Sequence, residues 1–427
     1  MNALSPIIWL SLLIGALALV CLIVSLRYLR RKRLIDDLPT SKTQGVFIGQ
    51  CELKGTAESD EPFTSYLAGR RCVLYKWTVQ EHWSRTTVHM TSKGPQSRRE
   101  SGWEEVAKGG KSAPFYLKDD TGVIRIQPKG AKLYTTILFE KECTRKNPLY
   151  YDKGPDKAVA NSTHRRRFHE IGIPLHANLY VTGYSRERAD VVAPEIAQDK
   201  KASLFVIATR SEKQIGRRYV RWFWFWAVLG LLIALGIGLY CNWGRGYSSS
   251  VIYWLTAGGY LLVFGLGWLW MVYNSLVRLY NRAQQGWSQI EVQLKRRADL
   301  IPRLVECVMG YQSHERGIQT AVAELRSQAQ AAPDMAHAIG TTLIALSERY
   351  PELKAGESFQ ALQQELASTE QRIALARAYF NDVATFYNTR LETIPDRFVA
   401  ALARLKLQAL WQAESFERAP VKVALSE

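Results

Sequence analysis

The chain of 427 residues has few of the side chains that build metal and redox centres, with 6 cysteines and 7 histidines. The cysteines are scattered and form no Cys-x-x-Cys pair, which predicts neither a disulfide framework nor a structural zinc. A Gly-rich phosphate loop, a nucleophile elbow and a Ser-His-Asp signature are also missing. We therefore predict no catalytic residue, no metal site and no cofactor.

Two local patterns resemble parts of catalytic sites without meeting their requirements. His169, Glu170 and His176 do not have the HExxH spacing that places two imidazoles on one face of a helix, and their neighbours alternate as in a strand. Cys72 follows two arginines, which would lower the pKa of a thiol. A small buried residue at the start of a strand is the simpler interpretation of Cys72.

Acidic residues are outnumbered by lysine and arginine, 39 to 56, and the net charge is +17. The basic residues cluster beside apolar runs rather than among the stacking aromatics of one domain, so nucleic-acid binding is not predicted. Such an excess instead predicts loops on the cytoplasmic side of a membrane and attraction to anionic lipid headgroups. A lipid bilayer is the first expected partner.

Long apolar runs organise the sequence. Residues 222–243 and 251–273 contain no Asp, Glu, Lys or Arg, and a polar turn at 244–250 joins them. Each run is long enough as a helix to cross a hydrocarbon core of roughly 30 Å. A third run, residues 7–26, follows a short N-terminal segment, 1–6, without a basic stretch before it, and is expected to remain as an anchor rather than be cleaved.

Basic and aromatic residues at the ends of these runs predict the topology. Positive charges follow the first run and precede the second, which places residues 27–221 in the cytoplasm, the N-terminus and the turn outside, and the C-terminal part in the cytoplasm. The residues expected at the membrane interface are Arg27, Arg30, Arg31, Lys32, Arg33, Arg217, Arg218, Arg221, Trp222, Trp224, Trp243 and Trp270.

The middle of the chain is predicted to be a β domain. After a basic linker, residues 27–44, short runs of alternating apolar and β-branched residues are typical of strands. The segment Asp119–Gly122 predicts a hairpin turn, in which the two neighbouring carboxylates point apart. Residues 91–111, rich in Ser, Thr and Gly, predict a mobile excursion from the sheet. We expect a small, mostly antiparallel barrel or half-open sheet, OB-like, over residues 45–216.

Four blocks of this region carry a family resemblance. VFIGQCELKG, LAGRRCVLYKWTV, FYLKDDTGVIRIQPKGA and HEIGIPLHANLYVTGY resemble, in that order, the GIDE domain of the mitochondrial ubiquitin ligase activator family. In those ligases a RING finger with eight zinc ligands follows the GIDE domain. After Arg221 this chain has only Cys241, Cys307, His314 and His337. A ubiquitin ligase-like activity, or a remnant of it, would therefore lack its zinc-built part.

Helical periodicity dominates residues 274–424. Apolar side chains recur there at three- and four-residue steps, as in an up-and-down helical bundle. The helix of the third run is expected to continue into the cytoplasm and to kink or break at Pro302, which removes one backbone donor. Further helices are expected at residues 314–331, 335–349, 359–391 and 398–411.

The same region resembles a second family. The blocks at 273–311, 350–395 and 416–423 are similar, in order, to the LemA family of bacterial membrane proteins, in which a transmembrane helix leads into a cytoplasmic helical bundle. The resemblance implies fold and location but no catalytic residue. Charged and amide side chains in these blocks either form a recognition site at the head of the bundle or satisfy one another: Arg296, Arg297, Asp299, Asn388 and Arg390.

These features predict a multidomain α+β membrane protein of the bacterial inner membrane. It has three transmembrane helices, a GIDE-like β domain and a LemA-like helical bundle, and it works as a non-enzymatic scaffold or sensor. A ubiquitin ligase-like enzyme and a lipid-binding envelope-stress module are the alternatives. Expected partners are anionic lipid headgroups, an unidentified protein and a second copy of the chain, and no nucleic acid.

Overall fold

A computed structural model describes residues 4–91, 94–188, 193–200, 204–243, 250–311 and 357–411. The chain divides into two compact units, Met1–Tyr260 and Leu261–Glu427. The first unit holds the β domain and the apolar helices that flank it. The second holds the helical domain.

The first helix, α1 (Leu4–Asp36), has 33 residues. It includes the whole basic cluster between Arg27 and Arg33, so the segment predicted as a basic linker, residues 27–44, is helical up to Asp36. Arginine, lysine and leucine favour helices, and no glycine or proline interrupts this part of the chain before Pro39. The basic side chains are therefore fixed to a rigid helix instead of a flexible connection.

Thirteen strands lie in the described part of the first unit. They are β1 (Thr40–Ser41), β2 (Gly49–Glu58), β3 (Phe63–Thr64), β4 (Arg71–Thr91), β5 (Gly94–Ser112), β6 (Phe115–Lys118), β7 (Val123–Ile126), β8 (Lys132–Tyr134), β9 (Thr136–Thr144), β10 (Ser162–Pro174), β11 (Asn178–Glu187), β12 (Pro194–Ala197) and β13 (Val206–Ala208). A short helix, α2 (Leu149–Asp152), precedes β10.

Five of the strands close into a barrel, as expected. The ring runs β2, β6, β7, β12, β11 and back to β2, because β2 pairs with β6 on one side and with β11 on the other. Neighbours are antiparallel except β7 and β12, which are parallel. This strand order is that of an OB-like barrel. Strands β1, β13 and β8 extend the sheet beyond the ring.

The barrel is filled by aliphatic side chains that alternate along its strands. Leu53, Leu117, Ile126 and Val181 are fully buried in its core. Gly55 lies where β2 passes from one partner strand to the other, and a Cβ there would collide with the carbonyl oxygen of Lys118. Glycine is needed at this position because two backbones approach closely.

The predicted hairpin turn after β6 is confirmed. The Asp119 carboxylate accepts hydrogen bonds from the backbone amides of Thr121 at 2.7 Å, Gly122 at 3.0 Å and Thr43 at 2.8 Å. Burial acts to raise the pKa of Asp119, but the hydrogen bonds from Thr43 and Thr121 outweigh it and the pKa is lowered. This carboxylate therefore organises the turn and docks the segment after β1.

The second sheet contradicts one prediction. Strand β4 pairs with β10 and forms a long hairpin with β5, from Leu74 opposite Ser112 to Thr91 opposite Gly94. Residues 91–111 are thus a paired strand along most of their length and not a mobile excursion. Its glycines have a packing role: a Cβ at Gly109 would lie 2.8 Å from the ring of Trp77 on the neighbouring strand.

A buried ion pair stabilises the second sheet. The Arg166 guanidinium on β10 lies 3.0 Å from the Glu81 carboxylate on β4, and neither side chain is exposed. Arg166 also donates to the carbonyl oxygen of Tyr150 at 2.7 Å, and the hydroxyl of Tyr150 donates to Glu81 at 2.7 Å. Every charged group in this network has a partner, which is what makes its burial tolerable.

The Arg166→Met substitution should lower the free energy of unfolding by about 3–5 kcal/mol, because it leaves the Glu81 carboxylate buried without its counter-ion. Denaturant unfolding of the detergent-solubilised protein measures this change. The matched control is Arg165→Met at the next position, which removes a solvent-exposed pair with Glu142 and should cost less than about 1 kcal/mol. Equal losses for the two variants would contradict the network's role.

Two further helices follow the β domain in the chain. They are α3 (Glu212–Trp243) and α4 (Ser250–Tyr311). α1 and α3 pack antiparallel: the Ser25 hydroxyl donates to the carbonyl oxygen of Phe223 at 3.2 Å, and a Cβ at Gly15 would lie 3.9 Å from Ile237. The Tyr260 hydroxyl on α4 donates to the carbonyl of Ala227 on α3 at 2.9 Å.

All three helices are long and apolar enough to cross a membrane. The qualifying stretches are Leu12–Asp36, Glu212–Tyr240 and Tyr253–Leu300. Large apolar side chains on them are exposed, among them Trp9, Leu13 and Leu232. Exposed leucines in such long runs are typical of helices whose surroundings are lipid.

The helical domain is built on α4, α5 (Glu357–Glu392) and α6 (Asp396–Leu402). The predicted helix at residues 359–391 is confirmed. Of the kink or break expected at Pro302, the break is wrong, since α4 contains this proline and runs on to Tyr311. The helices predicted at 314–331 and 335–349 lie outside the described residues.

The described core of the helical domain joins α4, α5 and α6. Leu276 and Leu279 of α4 pack with Tyr387 of α5 and Val399 of α6. The rings of Trp287 and Phe380 meet edge to face, with centroids 5.4 Å apart. Phe380 is fully buried, whereas Trp287 is partly exposed at the edge of this core.

Candidate membrane-interface groove and helical-domain contacts

An apolar cluster joins the barrel sheet to α1, which precedes it, and to α3, which follows it. Ile35 at the end of α1 and Ile215 and Tyr219 at the start of α3 are buried against residues of β11 and β13. The cluster members are Ile35, Tyr180, Val206, Ala208, Ile215 and Tyr219. Below it, Tyr28 stacks on Trp222 with ring centroids 6.1 Å apart. The β domain thus holds the ends of two candidate spans at fixed positions.

Next to this cluster lies a basic groove of about 1040 Å³. We call it the juxtamembrane groove. Its walls are the end of α1, the segment before α3, the first turns of α3 and Tyr134 of β8. They contribute six basic and two acidic side chains, a net charge of +4: Lys32, Arg210, Lys213, Arg217, Arg218 and Arg221, with Asp36 and Glu212.

The two carboxylates of the groove are already engaged. Asp36 pairs with Lys32, and Glu212 lies 3.0 Å from the ammonium of Lys54 on β2. Among the described residues, Lys213, Arg217 and Arg221 have no carboxylate partner. The positive charge of the groove is therefore not neutralised within the described parts of the chain.

The structure assembles only part of the interface set predicted from sequence. Lys32, Arg217, Arg218 and Arg221 line the groove, whereas Arg27, Arg30 and Arg31 are exposed elsewhere on α1 and Arg33 is buried. Trp222, Trp224 and Trp270 are exposed on their helices, as an interfacial position requires. The side chain of Trp243 lies outside the described residues.

The interface set predicted from sequence does not include Tyr134, Arg210 and Lys213. Tyr134 reaches the groove because β8 pairs with β13, which leads into α3. Its hydroxyl lies 3.4 Å from that of Tyr219, and the ammonium of Lys132 lies 5.4 Å from its ring centre. Burial acts to raise the pKa of Tyr134, but the hydrogen bonds to Tyr219 and Lys132 and the nearby positive charges lower it overall.

A polar network adjoins the groove on the side of the barrel. The Glu52 carboxylate is almost fully buried and accepts hydrogen bonds from Tyr180 and Thr40, each at 2.8 Å. The ammonium of Lys54 lies 3.3 Å from Glu52 and also contacts Glu212. Burial raises the pKa of Glu52, and the charge of Glu212 raises it further. The ionised form of Glu52 is therefore disfavoured in the folded protein.

Glu52→Gln should gain stability relative to the wild type as the pH rises from 4 to 8. The native protein holds the Glu52 proton to a higher pH than the unfolded chain, whose glutamates titrate near pH 4.3, so ionisation costs stability above that pH. Thermal unfolding midpoints at the two pH values measure the effect.

Glu58→Gln is the control with the opposite sign. Burial acts to raise the pKa of Glu58, but hydrogen bonds from His176 and Thr56 outweigh it and the pKa is lowered. The stability that Glu58 contributes is therefore present above the unfolded-state pKa and lost below it. The unfolding midpoint of Glu58→Gln should fall relative to that of the wild type as the pH rises from 4 to 6, whereas that of Glu52→Gln should rise over the same interval.

The predicted interaction residues of the helical domain do not form one site. Arg296 lies 2.7 Å from Glu365, and the buried Arg297 lies 3.4 Å from Glu370. At the other end of α5, Arg390 lies 2.8 Å from Asp396. About 20 residues of helix, or roughly 30 Å, separate these groups. The expected cluster is corrected to two separate sets of helix-to-helix contacts, with Asp299 exposed beside the first.

Asn388, the remaining member of that set, binds the chain that follows α6. Its amide accepts from the backbone of Gln408 at 2.9 Å and donates to the carbonyl of Gln408 at 2.8 Å. Seven residues earlier, Asn381 forms the same pair of bonds with Trp411, at 2.8 and 3.1 Å. The Trp411 ring packs 5.1 Å from that of Trp287. We call residues 403–411 the strap.

The prediction of a helix at residues 398–411 is wrong beyond Leu402, where α6 ends and the strap begins. The alanine and leucine content of this stretch favours a helix locally. The two asparagines, spaced two turns apart on α5, satisfy the backbone groups of an extended chain instead. Tertiary contacts override local propensity here.

Asn381→Ala should release the end of the strap, because it removes two hydrogen bonds and leaves the backbone groups of Trp411 unpaired. The variant should lose about 1–3 kcal/mol of local stability. Trypsin should therefore cleave it after the exposed Lys406 roughly tenfold faster than the wild type, or more. Asn388→Ala should behave in the same way. Asn274→Ala removes one bond within α4, to Trp270, and should leave the cleavage rate unchanged. Equal rates for Asn381→Ala and the wild type would contradict this role.

The residues considered as fragments of catalytic sites have structural roles. Glu170 is buried and accepts hydrogen bonds from the backbone amides of Tyr66, Leu67 and Ala68, at 2.8 to 3.2 Å. His176 lies 2.8 Å from Glu58, away from Glu170. The arrangement is that of a loop anchored by a carboxylate, not of a zincin site.

Cys72 is fully buried at the start of β4. Burial, together with the charge of Glu170, raises the pKa of its thiol to about 11, so the thiol stays protonated at neutral pH. This confirms the interpretation of a small core residue. Within the described residues, no group of three or more His, Cys, Asp and Glu side chains is placed to hold a metal ion.

Comparison with known proteins follows the same division of the chain. The LemA family model matches residues 286–425, and the GIDE model, described as an E3 ubiquitin ligase, matches residues 84–238. The chain has a LemA family domain at its C-terminus and a GIDE domain in its middle. The GIDE match includes most of the two β sheets and most of α3, and so includes the groove-lining residues of α3.

Two curated relatives are similar to part of the chain. Protein LemA from Metamycoplasma hominis is 26% identical, across 37% of this chain and 79% of the relative. Magnetosome protein MamQ from Magnetospirillum gryphiswaldense is 24% identical, across 32% of this chain and 64% of the relative. The LemA relative supports the assignment of the LemA domain. With the three apolar helices, both relatives indicate a membrane-associated protein.

Proposed function

We propose that the protein is a non-enzymatic scaffold or sensor of the bacterial inner membrane. It couples membrane-embedded helices to its GIDE and LemA domains, which act as interaction modules on the cytoplasmic side, with the N-terminus outside. The observation that carries the proposal is the apolar cluster around Ile35, which fixes both α1 and α3 to the barrel sheet. A shift of these helices in the bilayer would therefore also move the sheet.

The LemA domain has its own connection to the membrane. α4 contains a candidate span and continues as one helix to Tyr311, through 62 residues. Helices that continue from a bilayer into a folded domain transmit tilt or rotation, because packed interfaces switch between discrete arrangements. An unidentified protein partner would read these arrangements by contact, and a second copy of the chain is the other candidate.

Coupling between the sheet and the spans can be measured with a cross-link. Cysteines introduced at Gly15 and Ile237, in a background without the natural cysteines, should be joined by a short thiol-specific cross-linker, because these positions face each other between α1 and α3. Ile35 lies 20 residues from Gly15, about 30 Å along α1. Ile35→Ala removes buried apolar atoms from the cluster and should slow cross-linking between positions 15 and 237 severalfold, although these positions are far from the substitution.

Val123→Ala is the matched control, because Val123 is an exposed apolar residue of the same β domain. It should leave the cross-linking rate at the wild-type value. If Ile35→Ala also left the rate unchanged while lowering the stability of the β domain, the helices would be independent of the sheet and the coupling mechanism would be wrong.

A ubiquitin ligase-like activity is the second candidate, favoured by the description of the GIDE match. The described residues contain no constellation that would perform the transfer. Metal content of the purified protein and transfer of ubiquitin from a charged conjugating enzyme discriminate between the two. One equivalent of bound zinc, or any transfer, would favour the enzyme over the scaffold.

A further inference from the structure

We propose that the juxtamembrane groove is a binding site for the phosphate-bearing headgroup of an anionic phospholipid. Headgroups with more than one negative charge should bind more tightly than those with one. The inference deepens the proposed function and depends on the insertion of α1 and α3 into a bilayer. It differs from a general attraction between basic residues and a membrane surface, because it assigns one binding site to particular residues.

The charge of the groove needs an external anion. Six basic side chains converge on it, and the Asp36 and Glu212 carboxylates are engaged with Lys32 and Lys54. The net charge of +4 is large for a concave surface with a protein wall behind it, where the electric field is focused. One phosphodiester would neutralise only a quarter of this charge, which is why a multiply charged headgroup is favoured.

The position of the groove points to lipid as the source of that anion. Lys213, Arg217 and Arg221 follow one another at four-residue steps, so they lie on one side of α3. The apolar run of α3 begins directly after Arg221, with Trp222 and Trp224 exposed. A headgroup in the groove would therefore have its acyl chains beside the apolar part of α3. Basic pockets between membrane helices are known to hold such headgroups.

The walls suit one headgroup of moderate size. A volume of about 1040 Å³ is at the upper end of the range for small-molecule sites, roughly 300–1,000 Å³. The hydroxyl of Tyr134 is a neutral donor in the same wall, and the Arg218 guanidinium lies 5.9 Å from the Tyr134 ring. Together, guanidinium groups and a phenol supply the charged and neutral hydrogen-bond donors that phosphate oxygens accept.

Lipid retention by the intact protein tests the site. The full chain is placed in nanodiscs of neutral phosphatidylcholine alone or with phosphatidylglycerol or cardiolipin, released into detergent, and the retained lipids are counted by native mass spectrometry. The expected result is one retained anionic lipid per chain, with cardiolipin favoured over phosphatidylglycerol in competition. Absence of any selection over phosphatidylcholine in the correctly inserted wild type would overturn the proposal.

Matched variants assign the lipid to the groove. Arg217→Gln with Arg221→Gln should weaken retention of the anionic lipid by on the order of tenfold, since each basic residue near a membrane surface contributes substantially to anionic-lipid affinity. Arg27→Gln with Arg30→Gln removes the same charge from α1 outside the groove and should have little effect. Equal losses in the two double variants would show general surface attraction and overturn the site.

A second pair of substitutions and a phosphate titration complete the test. If Arg217→Gln with Arg221→Gln fails to fold, Arg210→Gln with Lys213→Gln removes two other groove charges, and the wild-type lipid selection needs no variant. Inorganic phosphate is titrated into the delipidated protein; phosphate that binds at the groove while anionic lipid, offered alone, does not rebind would assign the groove to a soluble anion instead. Failure of α1 and α3 to insert would count against the proposed function itself and is visible as protein recovered without nanodiscs.

Discussion

The burial of Ile35 and its neighbours against the barrel sheet is the contact on which the arrangement of the first unit depends. Ile35 belongs to α1, Ile215 and Tyr219 belong to α3, and all three are covered by β11 and β13. Without this cluster, a small barrel would be joined to two long apolar helices only through the chain. With it, the helix ends become part of the core of a folded domain, and displacing them costs buried apolar area.

The same contact explains why charge accumulates beside it. Because α1 and α3 both pack on one sheet, the basic residues that follow the span of α1 lie next to those that precede the span of α3. Lys32 and Arg221 are distant in sequence and line one groove. Carboxylates beside them are engaged within the protein, since Lys54 contacts both Glu52 and Glu212, whereas the groove itself keeps its positive charge. An anionic surface or ligand is the natural complement.

In the helical domain, side-chain amides, not charged groups, hold the segment that follows α6. Asn381 and Asn388 form hydrogen bonds with backbone groups of the strap, so these bonds fix its path without requiring particular side chains. The arginines that seemed to mark a recognition surface are used to tie helices together at two separate places. In both units, side chains that look exposed and functional in the sequence turn out to position segments of backbone or neighbouring helices.

Hydrophobic run length and periodicity, read from the sequence alone, determined the apolar helices, the β domain and the helix at 359–391, and turn residues determined the hairpin at Asp119, because these signals are local. Only the tertiary structure decided that residues 94–112 form a strand, since their glycines make room for tryptophans on β4. It also decided that the strap is not helical and that Tyr134, Arg210 and Lys213 share a groove with Lys32. These outcomes depend on which distant segments pack together, and no local pattern of residues contains that information.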